Sequence, residues 1–591
     1  PMTSELTERK GGVDAPRREP ELFLIDAIGP FFRGYAKRRV NWSKIPFTHL
    51  ATEGEARARQ WAQIRADLDH LAGEVSRLGY NAVTLDDVAH LVSHPAYEPE
   101  VRERIAVFRE EFAQLFEVLR SHGLRIFLTS DILPGTAALE AELGDDKHRL
   151  EEVFCGMIEA VLDDFPALSG VIFRLGESDG VDVRDPIRTR LHLTTARETN
   201  AFLRRLLPIF ESRQRLMILR TWTVGAHRIG DLIWHRRTFA DAFAGLESRW
   251  FVISMKYGES DFFRYLPLNR AFFRSEHQKL IEFQARREYE GAGEFPAPIG
   301  RDVEAYAREL SECKNLIGVS VWCQTGGWHR FRRLAFLENA GDDIWIRINC
   351  QLIVGVFRHG WSSREVLRQH FGDERGEKIL ELLDDAETVI RELMYIEDLA
   401  RQKLFFRRVR IPPLLHIYWD SLFINHAVRK VLRHFVADPE RVLRAGESAY
   451  RLFPKMIEQA RAADLPVEDV EHWRDFCGLV RLARRYYFLP YDDALAEQIR
   501  AAKAAYKKRW PRERRARYRI KTSFEPFRVK RRTLGWVAAV MLRRKRGYRV
   551  FDHLFTLNLL GMVFRVFRPR KKQSIPKFLR KSAMGIETLF R

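Results

Sequence analysis

Eight short apolar runs, separated by stretches of helical periodicity, limit what this chain can fold into: ELFLIDAI (21–28), NAVTL (81–85), LRIFLTS (124–130), GVIFRL (170–175), RLMILRTW (215–222), FVISMK (251–256), KLIEFQ (279–284) and GVSVW (318–322). A brief, continuous apolar run suits a strand buried on both faces. Strands alternating with helices form βαβ units and a parallel sheet, and eight such units predict a (β/α)8 TIM barrel. A doubly wound sheet is the structural alternative, but no glycine-rich dinucleotide fingerprint follows the first run.

Beyond the eighth run the pattern changes. Between about 341 and 500, strand signals give way to amphipathic patterns such as SSREVLRQHFGDERGEKILELLDDAETVIRELMYIEDLARQ, which predict an all-α helical domain. Such a domain packs on the barrel or on a second subunit, so a homo-oligomer is one expected assembly. The predicted organisation is a polar leader (1–20), a catalytic barrel (21–340), the helical domain (341–500) and a basic amphipathic tail (501–591).

Charge sets the tail apart. The 591-residue chain has a net charge of +20, yet residues 501–591 alone hold 28 Lys and Arg against Glu513, Glu525, Asp552 and Glu587. The rest of the chain is therefore close to neutral. Basic clusters in the tail alternate with the apolar stretches TLGWVAAVML and VFDHLFTLNLLGMVFRVF. The longer of these contains Asp552, His553 and Arg565 and is short for a transmembrane helix. A helix lying in the plane of an anionic membrane fits better, with Trp536, Phe551, Phe555, Phe564 and Phe567 as the apolar anchor. Docking to a protein partner is the alternative. Nucleic acid is disfavoured, because long aliphatic runs add nothing to phosphate contact.

Five cysteines without CxxC or Cys/His ligand spacing suggest neither a disulfide framework nor a zinc site, and a reducing compartment is the simpler reading. No cofactor is expected. The first residues lack the apolar core of a secretory signal. Together with the tail, this predicts a cytoplasmic protein held peripherally on the inner face of the cytoplasmic membrane.

The chemistry gathers where apolar runs end. The sixth run closes on Lys256, and the carboxylates Asp261 and Glu288 follow; Glu177 lies just past the fourth. Barrel enzymes place their reacting groups beyond the carboxyl ends of the strands, so all three acids could meet at one mouth. Glycoside hydrolysis needs such a set: one acid protonates the leaving oxygen while a second carboxylate works from the opposite face of the sugar. Trp322, Trp328 and His329 could form an aromatic platform for a sugar ring or pack the barrel rim. Asp86 and Asp87 could touch sugar hydroxyls or cap a helix.

KYGESDFF (256–263) and EFQARREYEG (282–291) resemble the K-N-G-P-x-D-F-Q and E-x-Q-x-x-Q-E-Y-x-G runs of the α-glucuronidases of glycoside hydrolase family 67. Lysine, glycine, aspartate and phenylalanine match in register, while the family's proline and glutamine are absent. RLGYNAVTLDDVAHL (77–91), LSGVIFRLGESDG (168–180), LRTWTVG (219–225) and GVSVWCQTGGWH (318–329) are similar to further segments of that family. INCQLIVGVF (348–357) resembles, more weakly, the start of its helical carboxyl-terminal domain. The likeness spans roughly residues 60–340, and the last 90 residues resemble nothing in the family.

The resemblance implies an inverting enzyme that releases an α-linked uronic acid. Glu177 would be the general acid, with Asp261 and Glu288 positioning and deprotonating water. A uronic acid carries its own carboxylate and so needs cations. Arg220 and Lys256 match the family's basic residues, and Arg174 is a third candidate. A membrane-associating tail suggests a membrane-proximal glycoconjugate or glycolipid as substrate. A glycosidase of other sugar specificity and a non-catalytic glycan-binding scaffold are the rival readings.

Overall fold

The computed structural model describes residues 20–524 apart from 38–39, 42–43, 145, 176–183, 190, 224–227, 326–330, 403–404, 407–408, 411 and 419–420. Eight parallel strands close into a barrel: β1 (Leu22–Asp26), β2 (Ala82–Asp86), β3 (Arg125–Asp131), β4 (Leu168–Arg174), β5 (Leu216–Arg220), β6 (Phe251–Lys256), β7 (Gln278–Gln284) and β8 (Leu316–Trp322). Each pairs with the next, and β8 returns to β1 with Leu22 opposite Gly318. Every apolar run read from the sequence is one of these strands.

The two-residue period of a strand divides the side chains between two cores. Leu24, Ala82, Phe127, Ile172, Ile218, Val252 and Leu280 pack together inside the barrel. Phe23, Val83, Leu128, Phe173, Ile253 and Phe283 face outward into the larger core under the helices. Glycine is required where strands crowd. A Cβ on Gly170 would lie 2.1 Å from the Leu216 carbonyl oxygen, and one on Gly318 would lie 2.0 Å from that of Leu22.

The surrounding helices include α1 (Gly54–Leu78), α2 (Pro99–Ser121), α3 (Lys147–Asp164), α4 (Ala196–Ser212), α5 (Arg236–Phe243), α6 (Gly300–Glu309) and α7 (Ile344–His359). A capping box formed by Thr195 and Glu198 starts α4, and Gly79 in the left-handed conformation ends α1. The β6–β7 connection carries only a single 3-10 turn, Arg270–Phe273. Its residues Phe262, Phe263, Leu266, Leu268 and Phe272 are buried, so this segment folds inward as a loop rather than outward as an amphipathic helix. Helix α7 stands beside the end of α1, where Tyr80 Oη donates to the Cys350 carbonyl at 2.9 Å.

A helical domain follows, with α8 (Ser363–Phe371), α9 (Asp373–Val389), α10 (His426–Phe435), α11 (Pro439–Tyr450), α12 (Phe453–Ala462), α13 (Val467–Phe488) and α14 (Asp493–Arg509) as its main helices. It also holds a small sheet that periodicity did not reveal, in which Ser421–Asn425 pairs in parallel with Arg519–Ser523 and antiparallel with Ile417–Tyr418. The first part of the basic region therefore belongs to this folded unit. Tyr518 is buried there, stacked 3.9 Å from the Phe476 ring and 5.6 Å from that of Phe295.

Buried ions join the domain to the barrel. Arg264, from the β6–β7 loop, is held by Glu290 at 2.9 Å and by Glu387 of α9 at 2.8 Å, while Tyr395 Oη donates to Glu290 at 2.8 Å. Among the described residues no helix is long and apolar enough to cross a membrane. Residues 525–591, with both apolar stretches of the tail, lie outside the described residues.

Candidate active site

The inward position near the carboxyl end of each strand breaks the apolar pattern. Asp26, Asp86, Asp131, Arg174, Arg220, Lys256, Glu282 and Trp322 occupy these positions in β1 to β8, none more than 5% exposed. A layer of buried charge thus sits on the apolar interior, at the end where barrel enzymes react. Ions in such surroundings persist only when paired or hydrogen-bonded, and all but Asp26 are paired here in two sectors.

The first sector spans β5 to β8. Arg220 grips Glu282 through two parallel hydrogen bonds, Nε to Oε1 at 2.9 Å and Nη2 to Oε2 at 2.8 Å. Ser254 Oγ donates to the same carboxylate at 2.7 Å and the Trp322 indole at 3.3 Å, with the Arg220 guanidinium 4.5 Å from the Trp322 ring centroid. Burial pushes the Glu282 carboxyl up, but Arg220 and Lys256 outweigh it and hold it below the ordinary value.

Beside this pair, Lys256 Nζ donates to Asp261 Oδ1 at 2.6 Å and lies 3.7 Å from the Trp222 ring centroid. Tyr289 Oη donates to the other Asp261 oxygen at 2.6 Å, and the Phe262 N–H donates to Oδ1 at 2.9 Å. Asp261 is thereby fixed in orientation on both oxygens. Glu288 is buried one residue before Tyr289, in a loop pinned where its N–H donates to Gln284 Oε1 at 2.8 Å.

The second sector spans β2 to β4. The Arg174 guanidinium lies 3.0 Å from Asp131 and 3.8 Å from Asp86. Lys44, from the β1–α1 loop, reaches Asp87 at 2.7 Å and Asp131 at 3.4 Å. His90 lies between Asp87 at 2.6 Å and Asp185 at 3.1 Å. Asp87 also accepts the His90 N–H and so caps the turn Val88–His90. Burial, reinforced by the Asp87 charge and opposed by Arg174 and Lys44, pushes the Asp86 carboxyl up to about 7. Burial pushes the His90 imidazole down, but Asp87 and Asp185 outweigh it and raise it to about 9.

At β1, Asp26 accepts the backbone N–H groups of Cys323, Gln324 and Thr325, fixing the start of the loop after β8. Glu177, Trp328 and His329 lie outside the described residues. Of the other predicted positions, the fold brings Lys256 against Asp261, Arg220 against Trp322 and Arg174 near Asp86, while Asp87 pairs with Lys44 and His90. The sequence reading gave no role to Asp26, Lys44, Asp131 or Glu282. A polar residue at an inward-facing place in an otherwise apolar strand, as in LFLID, RIFLTSD and QKLIEFQ, is the signal that marks three of them. Among the described residues no cluster of His, Cys, Asp and Glu is arranged to hold a metal.

No family model matches the chain, and no curated protein matches it. Solved structures do. An enzyme of glycoside hydrolase family 138 targeting pectin rhamnogalacturonan II aligns with a TM-score of 0.50 at 12% identity, over 84% of this chain and 62% of that one. A mutant of the Thermobaculum terrenum O-GlcNAc hydrolase aligns with a TM-score of 0.39 at 12% identity, over 75% and 86% of the two chains. A β-mannanase from the blue mussel Mytilus edulis aligns with a TM-score of 0.32 at 15% identity, over 56% and 92%. The chain spans less than two thirds of the family 138 enzyme. These neighbours are glycoside hydrolases. At 12% identity, the likeness to the family 138 enzyme shows the fold, a (β/α)8 barrel extended by a helical domain.

Proposed function

We propose that the protein is a glycoside hydrolase similar to the family 67 α-glucuronidases, releasing an α-linked uronic acid, glucuronic acid first, with inversion. The observation that carries this reading is Asp261, held between Lys256 and Tyr289 at the carboxyl end of the barrel. A carboxylate so oriented can accept a proton from water, and Glu288 lies in the adjoining loop to share in positioning that water.

Glu177 would donate its proton to the leaving oxygen as the glycosidic bond breaks, while the water oxygen bonds to the anomeric carbon and gives its proton to Asp261 or Glu288. Inversion needs the acid and base carboxyls about 6.5–9.5 Å apart. A substrate carboxylate approaching Lys256 would compete with Asp261 for the ammonium and so free an Asp261 oxygen to meet the water as the sugar binds.

The bidentate Arg220–Glu282 pair favours a second reading. With that guanidinium already engaged by a protein carboxylate, the pocket could accept a neutral sugar on the same barrel. Turnover of aryl α-glucuronides against aryl hexosides separates the two. Glucuronide hydrolysis that vanishes in Asp261→Asn supports the first reading, and preferential hexoside hydrolysis supports the second. Binding of glycans without any turnover would leave a glycan-binding scaffold.

The substrate is proposed to be membrane-proximal, with residues 525–591 resting on the anionic inner face of the cytoplasmic membrane through their basic clusters and apolar stretches. A homo-oligomer through the helical domain is part of the same proposal. Co-sedimentation with vesicles containing phosphatidylglycerol, lost when 525–591 is deleted, is the expected result. Equal sedimentation with neutral vesicles would contradict it.

A further inference from the structure

Next to the barrel mouth lies a cleft of about 990 Å³, walled by residues 32–36 after β1, Glu294 after β7, residues 331–341 after β8 and residues 512–519 of the basic region. The first three walls are loops at the carboxyl-terminal face of the barrel, the face that carries Lys256 and Asp261. The fourth comes from the helical domain. The cleft is at the upper end of the size range of ligand sites and would hold several sugar units.

Its charge is lopsided. Arg33, Arg332, Arg512, Arg515 and Arg519 line it, against Glu294 and Glu513. Arg33 is neutralised by Asp67 at 2.8 Å, and Arg332 lies 3.6 Å from Glu294. Arg512 and Arg515 form no ion pair among the described residues, and Arg515 instead donates to the Trp510 carbonyl at 2.7 Å. Burial pushes the Arg332 guanidinium down, with Arg514 and Arg333 adding repulsion and Glu294 and Asp469 opposing. Positive charge is therefore crowded at the cleft and would be relieved by an anion. Phe32, Tyr35 and Phe331 also line the cleft, with the Phe32 and Phe331 rings edge to face at 5.0 Å.

We infer that this cleft binds an acidic oligosaccharide, the uronate-bearing chain that extends from the sugar held at the barrel mouth. The inference rests on the uronidase reading above and names the part of the substrate beyond the cleaved residue. Guanidinium groups recognise carboxylates through paired hydrogen bonds. A cleft opening beside the mouth and lined by arginines from two domains selects a charged chain over a neutral one.

The test is calorimetric binding to the full-length protein, using a hexamer of galacturonic acid, maltohexaose as the neutral chain and inorganic pyrophosphate as the phosphate probe. The acidic hexamer should bind and maltohexaose should not. Arg512→Gln with Arg515→Gln should weaken the acidic hexamer about tenfold, the loss of charge-assisted bonds, while Arg512→Lys with Arg515→Lys, which keeps the charge but not the paired hydrogen bonds, should weaken it less. Hydrolysis of a small aryl glucuronide, which does not reach the cleft, should be the same in both variants as in the parent protein.

Unchanged hexamer binding in the glutamine variant would overturn the inference, as would equal binding of maltohexaose or displacement by pyrophosphate at matching affinity. The two readings fail separately. Arginine-dependent hexamer binding without turnover of any uronide would sink the enzymatic reading alone, and turnover with arginine-independent binding would sink the cleft alone.

Discussion

Glu282→Gln should be among the most damaging single changes at the barrel mouth, although no catalytic role is assigned to that residue. Its carboxylate, 1% exposed, takes two hydrogen bonds from Arg220 at 2.9 and 2.8 Å, one from Ser254 at 2.7 Å and one from Trp322 at 3.3 Å. Glutamine has nearly the same shape but turns one acceptor oxygen into a donor and removes the negative charge. The Arg220 guanidinium, 3% exposed, would lose its ionic partner. Removing one member of a buried ion pair costs about 3–5 kcal/mol, because the remaining charge is left without compensation. With about 2.1 cal/mol/K of unfolding entropy per residue, a folded unit of this size loses about 1 °C per kcal/mol, so thermal unfolding followed by circular dichroism should shift down by roughly 3–5 °C. Replacing both partners, Arg220→Met with Glu282→Leu, should recover most of that loss, since a well-packed apolar pair has no ion to desolvate. A Glu282→Gln protein within about 1 kcal/mol of the parent, or a double variant worse than the single one, would refute the reasoning.

Two further perturbations test the fold and the second charged sector. Gly170→Ala would put a methyl 2.1 Å from the Leu216 carbonyl oxygen, so β4 and β5 must separate; the protein should express poorly or unfold well below the parent, and a normal melting curve would contradict the register. His90 is raised from 6.5 to about 9, so its contribution is fully present below pH 6.5 and is lost as pH rises through 9. That interval corresponds to about 3 kcal/mol, and the parent's melting temperature should fall between pH 6.5 and 9 while that of His90→Gln changes less; parallel curves would exclude the ion triad as the cause.

Strands were legible in the sequence because each is a short apolar run with breaks on either side, and closure followed from their number. The β6–β7 connection was not, because its burial comes from bulky residues without a helical period; Phe262, Phe263 and Leu266 pack where a solvent-facing helix would otherwise begin. The strand Arg519–Ser523 was hidden for a different reason. RIKTS has no apolar run and looks like the rest of the basic region, and it is a strand only because Ser421–Asn425 offers it a parallel edge. At the site, the contact between Lys256 and Asp261 fits their five-residue spacing across a strand end. The Arg220–Glu282 clamp joins residues 62 apart in sequence, which local pattern could not connect. Arg220 and Arg174 read as substrate-binding cations, and the structure finds both held by acids from other strands of the barrel, Arg220 by Glu282 two strands away and Arg174 by Asp131 on the adjacent one.

The most direct test of the account is the release of sugar from α-glucuronosyl oligosaccharides by the purified full-length protein beside its Asp261→Asn variant, with the product identified by mass and its anomeric form by NMR. The account predicts free β-configured glucuronic acid as the first product from the parent and a loss of at least about a hundredfold in the variant, the scale of a general base. Undiminished release by Asp261→Asn, or release of a neutral sugar only, would contradict it.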